Sequence, residues 1–131
     1  KDATLIGTSI SLLHWDQEVM MPKNGIGFRA DQIALTSRMY HEMCIDPKIN
    51  DLLCMCEEDS ELVGDPTSDS AANIREIRHA YDRATKLPTS LVEEEAKLSS
   101  HGQSAWAEAR KNNDFSEFQF VIAATNLFIA S

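Results

Sequence analysis

A histidine and a glutamate in one predicted helix are the first candidates for metal chemistry. His41 and Glu42 match the start of the H-E-x-x-H pattern, in which two histidines four residues apart hold zinc and the glutamate activates water. Ile45 stands where the second histidine would be. The match therefore fails, and we interpret His41 as a helix-surface histidine. The other three histidines lie on separate predicted helices without a carboxylate or cysteine at ligand spacing, so the sequence predicts no metal site in this chain.

A second group of polar side chains is placed to line a cleft. Trp15 and Asp16 lie with further carboxylate and amide groups near the end of a predicted helix. Arg75 and Arg78 lie one helical turn apart, as a clamp for a carboxylate requires. The structural alternative is that Trp15 packs and that Asp16 or Glu18 caps a turn or pairs with an arginine. The two arginines are then solvated or pair with acids. No phosphate loop, G-x-S-x-G elbow or cysteine–histidine nucleophile pattern is present, so we predict no catalytic residue.

Composition restricts the classes of partner. The chain has 131 residues, 43% of them apolar, and a net charge of −9. This suits one folded domain and opposes binding to nucleic acid or an anionic membrane. No apolar run reaches membrane-spanning length and the start, Lys1-Asp2, lacks the pattern of a signal peptide, so we expect a cytoplasmic protein without membrane partners. Three cysteines make no disulfide framework, and we expect free buried thiols.

The elements that must position these residues are helices. Glycine and proline together number only nine, which is too few for the turns of an all-β fold. The pattern predicts an all-α fold: a single domain over residues 1–131, with about six helices joined by short loops in an array or bundle. The first predicted helix ends near Val19, the second spans 28–45, and the third lies near 47–58 and is capped by Asp46. A loop over 59–69 and a helix from Ser70 to Leu87 follow. The next helix begins at Ser90 with Glu93 and ends at Asn112-Asn113, and the last begins at Asp114 with Glu117.

Apolar stripes predict which helix faces are buried. On the first helix the stripe comprises Ile6, Ile10 and Leu13. On the second helix it comprises four large side chains: Phe28, Leu35, Met39 and Met43.

The last helix is apolar on most sides. Its apolar positions fall on two faces and include Phe118, Phe120, Ile122, Leu127 and Phe128. A single small domain cannot cover both faces, so we expect these five residues to contact another chain or a further part of this one.

Short motifs follow one another along the chain in a specific order. They are Leu12–Glu18 with Met21-Pro22, Arg29–Ala34, Asn73–Arg78 with Tyr81, Leu87-Pro88 with Leu91-Val92, and Ala105-Trp106 with Ala109-Arg110 before Asp114-Phe115 and Phe118. This succession resembles the N-terminal portion of the carboxypeptidase Taq family of zinc-dependent metallocarboxypeptidases. The sequence departs from the family at Val19, where a hydroxyl residue is common, and in a more apolar end.

The resemblance implies the first helices of a longer, mostly helical enzyme that removes single residues from peptide C-termini. Such enzymes hold the metal with an H-E-x-x-H helix and a downstream glutamate, none of which lies in these 131 residues. The resemblance therefore implies no cofactor in this chain. It implies zinc and a peptide substrate only for a full-length enzyme. At most, the resemblance implies that four residues support the substrate groove: Trp15, Asp16, Arg75 and Arg78.

Two hypotheses follow for the function of the chain. In the first, it is the N-terminal helical part of a metallocarboxypeptidase, inactive without its catalytic part. In the second, it is a stand-alone interaction module that dimerises through its apolar last helix.

Overall fold

The fold of the chain is helical throughout the region that the structure describes. The computed structural model describes residues 1–130, and of these all side chains except those of residues 117, 120 and 127–130. No strand occurs within residues 1–130. The helices are α1 (Asp2–Val19), α2 (Ile26–Cys44), α3 (Pro47–Glu58), the single turn α4 (Ser60–Val63), α5 (Asp69–Lys86), α6 (Thr89–Asn112) and α7 (Ser116–Ala130), with a 3₁₀ turn at Lys23–Gly25. The predicted all-α class and its six longer helices are confirmed.

Side-chain caps explain where most of these helices begin. The carboxylate of Asp46 accepts a hydrogen bond from the backbone N–H of Lys48 at 2.9 Å, and Pro47 occupies the first position of α3. The hydroxyl of Ser68 caps α5 in the same way, and Asp114 accepts from the N–H of Ser116 at the start of α7. These contacts confirm the predicted cap at Asp46, while Asp114 lies one residue before the cap position of α7 and still accepts from the first N–H of that helix.

Two local predictions were wrong. The helix α6 begins at Thr89, so Ser90 lies inside its first turn and does not cap it. The predicted loop over 59–69 contains the turn α4, because Asp59 accepts a hydrogen bond from the N–H of Glu61 and starts a short helix.

The chain divides into two compact units. Unit 1 comprises Lys1–Tyr40 and the chain from Thr89 onward, and unit 2 comprises His41–Pro88. That residues 1–131 act as one domain stays a prediction.

Unit 1 packs around small side chains. Ile33, Ala34 and Ala96 form its core, and the half-buried Leu13 of α1 packs against them. The predicted inner face of α1 is thus correct, but that of α2 is wrong. Phe28 is 70% exposed, and two further members of its stripe, Leu35 and Met39, are also exposed. The buried side chains of α2, which are Ala30, Ile33 and Ala34, lie on the opposite side of the helix, and this leaves the large side chains of the stripe outside.

Unit 2 is built around α3 and α5. Leu53 and Ala71 are buried there, and so is His41, whose Nε2 lies 3.0 Å from the carbonyl oxygen of Ala84. The interpretation of His41 as a surface histidine is therefore wrong: the ring fills the space beside α5 and hydrogen-bonds to its last turn.

Candidate functional site

The predicted groove supports fall into two pairs, one in each unit. Trp15 and Asp16 lie in unit 1, near the end of α1, and Arg75 and Arg78 lie in unit 2, on α5.

Asp16 is held by an arginine from the following helix. One Nη atom of Arg29 donates to the Asp16 carboxylate, and the other donates to the carbonyl oxygen of Leu13 at 3.2 Å. The side chain of Arg29 is only 15% exposed, so the ion pair is shielded on one side. The structural alternative from the sequence, that Asp16 pairs with an arginine, is correct. The identity of that arginine was missed, although Asp16 and Arg29 lie at similar distances on either side of Pro22 in the sequence.

Trp15 is presented to solvent. Its side chain is 59% exposed, although it directly precedes the residue that Arg29 holds. The alternative in which Trp15 packs inside this chain is therefore wrong. An exposed indole on an ordered helix is available for contact with another group, and burial of an aromatic ring is among the larger sources of binding energy.

The face of α1 toward α6 carries a buried polar network. The amide of Gln17 donates to the carbonyl oxygen of Ser100 at 2.7 Å and to the hydroxyl of Ser104 at 2.9 Å. The Ser100 hydroxyl in turn donates to the amide oxygen of Gln17 at 2.9 Å. His14 Nδ1 lies 3.0 Å from the amide oxygen of Gln103 one turn away. These bonds fix the register of α1 on α6 and thereby the direction of the exposed face of α1.

Arg75 and Arg78 do not act together on one carboxylate. Arg78 donates through Nε and Nη2 to both carboxylate oxygens of Glu57 at 2.8 Å, and through Nη1 to the side-chain oxygen of Asn50 at 2.7 Å. Arg75 instead donates to the backbone oxygen of Pro66 at 2.9 Å. The expectation that such arginines pair with acids is correct for Arg78, which joins α5 to α3.

The ionisable groups of these contacts are held in their charged forms. The hydrogen bond from Arg78 holds the pKa of the Glu57 carboxyl below its ordinary value, and Glu57 raises the pKa of Arg78. Asp65 and Asp114 also have lowered pKa values, because the hydroxyl of Thr67 and the backbone N–H of Ser116 donate to them. Each of these carboxyl groups is exposed and remains ionised, which is the opposite of what a general acid needs.

The described part of the chain does not fit a zinc ion. Among the described residues, no group of three His, Cys, Asp or Glu side chains is placed to hold a metal. Nor does any helix among them have the length and apolar character to cross a membrane.

The cysteines are free, as predicted, but they are not buried. Cys54 is exposed, and Cys44 and Cys56 are half-buried.

The last helix contacts α6 of its own chain. Phe118 packs against Trp106 with tilted rings whose centroids are 4.9 Å apart, and the ring of Phe115 lies 5.8 Å from the same indole. Ile122 is 44% exposed and borders a groove of about 450 Å³ between α6 and α7. The side chains of Phe120, Leu127 and Phe128 lie outside the described residues, so the predicted role of these apolar residues as an interface stays a prediction.

Comparison with known proteins identifies relatives over almost the whole chain. The sequence model of carboxypeptidase Taq (M32) metallopeptidase matches residues 1–126. Thermostable carboxypeptidase 1 of Thermus thermophilus is 44% identical over 108 residues, which are 82% of this chain and 21% of that protein. Carboxypeptidase 1 of Bacillus subtilis is 27% identical over 110 residues, 84% of this chain and 21% of that protein.

A solved structure agrees with the sequence comparisons. The crystal structure described as BsuCP matches with a TM-score of 0.84 at 25% sequence identity, over 97% of this chain and 25% of its own. The chain thus spans about a fifth of the length of the curated relatives it matches. The family match over residues 1–126 confirms the resemblance seen in the motifs, and the chain belongs to the carboxypeptidase Taq (M32) metallopeptidase family.

Proposed function

We propose that this chain is the N-terminal helical region of a metallocarboxypeptidase, an enzyme that releases residues from the C-termini of peptides. The observation that carries the proposal is the family match over residues 1–126, together with 44% identity to a carboxypeptidase. The matched region is about a fifth of that relative, which leaves about four-fifths to supply the rest of the enzyme.

The chemistry belongs to the other part of the enzyme under this proposal. The described residues offer no metal-binding group, so zinc and its ligands would be supplied from outside the matched region. The chain on its own is expected to retain no zinc and to release no residue from a peptide.

The proposed contribution of this chain is to support the substrate groove with side chains that are fixed within each unit. Its support is that the candidate residues are held in place by their neighbours: Arg29 fixes Asp16, and Glu57 fixes Arg78. Such preorganised side chains suit a surface that positions a peptide without reacting with it.

Free cysteines support a reducing compartment. Cys44, Cys54 and Cys56 form no disulfide, as is usual for proteins of the cytoplasm. We therefore place the protein in the cytoplasm as part of the same proposal.

A chimeric enzyme tests the proposal directly. The 108-residue matched region of the Thermus thermophilus relative is replaced by the corresponding region of this chain, and release of C-terminal residues from a blocked dipeptide is measured with zinc present. We expect the chimera to be active and the same relative without the region to be inactive. A folded chimera without activity contradicts the proposal. So does chelator-sensitive activity of the 131-residue chain alone.

The alternative function is a dimerisation module, favoured by the exposed Ile122 beside the groove between α6 and α7. Light scattering of the purified chain separates the two functions. A stable dimer that Ile122→Glu dissociates favours the module, and a monomer at micromolar concentration contradicts it.

A further inference from the structure

The helix α1 carries an exposed apolar face along its whole length. Leu5, Leu12 and Val19 recur every seven residues, with Trp15 between the last two, and their exposed fractions are 61%, 62%, 57% and 59%. Residues seven apart on a helix share a face, so these four side chains form one continuous line, which we call the α1 stripe. The opposite face of α1 carries Leu13 and Gln17 and packs inside unit 1.

The residues around the α1 stripe can be buried at a low cost in desolvation free energy. Residues 3–15 contain no Asp, Glu, Lys or Arg, in a chain that is 25% charged. The hydroxyl groups of Thr8, Ser9 and Ser11 donate to backbone oxygens one turn earlier, at 2.9, 3.0 and 3.1 Å. Burying a hydroxyl group that already has a hydrogen-bond partner within the protein costs little free energy. Burying one that loses its hydrogen bond to water costs several-fold more. This face therefore suits an apolar protein partner.

Charge disfavours two other occupants of the stripe. A second copy would bring together two chains that each carry a net charge of −9, and repulsion opposes that contact. A lipid surface is bound by helices with lysine or arginine on the polar face, and α1 contains neither. The remaining occupant is the part of a carboxypeptidase outside the matched region, which is about four-fifths of the relative.

We propose that the α1 stripe is the surface on which an apolar helix face from that remaining part of the carboxypeptidase packs. This inference rests on the proposed function, and it names the partner and the place of contact. It also explains the exposed indole of Trp15, which becomes a buried anchor in the complete enzyme.

Thiol labelling measures the predicted burial. Leu12→Cys is compared with Leu52→Cys, since Leu52 on α3 is also a leucine and is 61% exposed. Each variant is labelled with a maleimide in the isolated chain and in the chimera described above, and modification is located by mass spectrometry. The native, exposed Cys54 serves as an internal reference for general reactivity.

We expect labelling at position 12 to be at least about tenfold slower in the chimera than in the isolated chain, and labelling at position 52 to change less than about twofold. An active chimera that labels at position 12 as fast as the isolated chain overturns the inference and leaves the proposed function standing. Equal protection at both positions also overturns it. Protection in the isolated chain that grows with concentration identifies a second copy as the occupant and contradicts it. An inactive chimera with position 12 protected contradicts the proposed function and supports the contact.

Discussion

Replacing Ser100 by alanine removes the centre of the polar network between α1 and α6. The hydroxyl of Ser100 is fully buried and donates to the side-chain oxygen of Gln17, which is itself only 8% exposed. Without this donor the Gln17 oxygen is left buried and unpaired, which costs about 1–3 kcal/mol. Alanine is the better helix former by about 0.5 kcal/mol, which offsets part of the loss. We expect a net destabilisation of about 1–2 kcal/mol, or a melting temperature about 4–8 °C lower for a chain of this size.

The assay is thermal and urea unfolding followed by circular dichroism, with Ser99→Ala as the matched control. Ser99 is the neighbouring residue on α6 and is exposed, so its replacement should leave stability unchanged or slightly raised. Equal stability of Ser99→Ala and Ser100→Ala would refute the reasoning, because the buried hydroxyl would then contribute nothing.

A double-mutant cycle tests the pairing itself. Gln17→Leu removes the acceptor of the Ser100 hydroxyl, which can then donate to a carbonyl of its own helix. In the Gln17→Leu background, Ser100→Ala should therefore cost about 1 kcal/mol less than in the natural sequence. Strict additivity of the two changes contradicts a direct contact between these side chains.

Three further substitutions test other contacts of the fold. The hydrogen bond from Arg78 lowers the pKa of Glu57, so their pair stabilises unit 2 above the unfolded-state pKa and loses this effect as the pH falls through the folded-state pKa. On acidification from pH 6 to about pH 3, the natural protein should therefore lose more stability than Glu57→Gln in urea titrations. Asp46→Ala removes the cap of α3 and should lower the free energy of unfolding by about 1 kcal/mol in the same assay. A Cβ atom on Gly102 would lie 3.0 Å from a methyl of Val121, so Gly102→Leu should overpack α6 against α7, cost about 1–3 kcal/mol and speed amide exchange in α7.

Matched variants show whether these effects are specific. Asp51→Ala changes an exposed acid in the middle of α3, so it should not reproduce the loss at Asp46. A Cβ atom on Gly27 meets nothing within 4 Å, so Gly27→Ala should be neutral or slightly stabilising. An equal loss of stability on acidification in Glu57→Gln and the natural protein would contradict the contact between Glu57 and Arg78. Unchanged amide exchange in α7 of Gly102→Leu would contradict the close packing of Gly102 against Val121.

Helix boundaries were predictable because they depend on neighbouring residues. The cap of α3 needs only Asp46 and the N–H two residues later, and the end of α5 needs only the proline that follows Leu87. Asn113 adopts a left-handed φ of 53°, which asparagine tolerates better than most residues, and so ends α6 where the sequence indicated.

Helix orientation was less predictable, because periodicity does not say which of two apolar faces is inside. On α2 the large residues of the Phe28 stripe are spaced as a core face would be, yet Ala30, Ile33 and Ala34 form the buried face. Both faces of α2 are apolar, and which of them is buried depends on where the neighbouring helices lie rather than on the local sequence. The partner of Asp16 was unknown for the same reason, since Arg29 reaches it only after the chain has turned.

The two exposed apolar faces of unit 1 belong to helices whose other faces are already buried. The stripe of α1 lies opposite Leu13 and Gln17, and the Phe28 stripe of α2 lies opposite Ile33 and its neighbours. A helix that closes a small domain needs one apolar face, because its outer face contacts water. Helices with two such faces are typical of an inner layer, covered by protein on both sides. The presence of two apolar faces on both α1 and α2 therefore favours the first hypothesis, in which the rest of a larger helical enzyme covers this region. It argues against a module that dimerises through α7 alone.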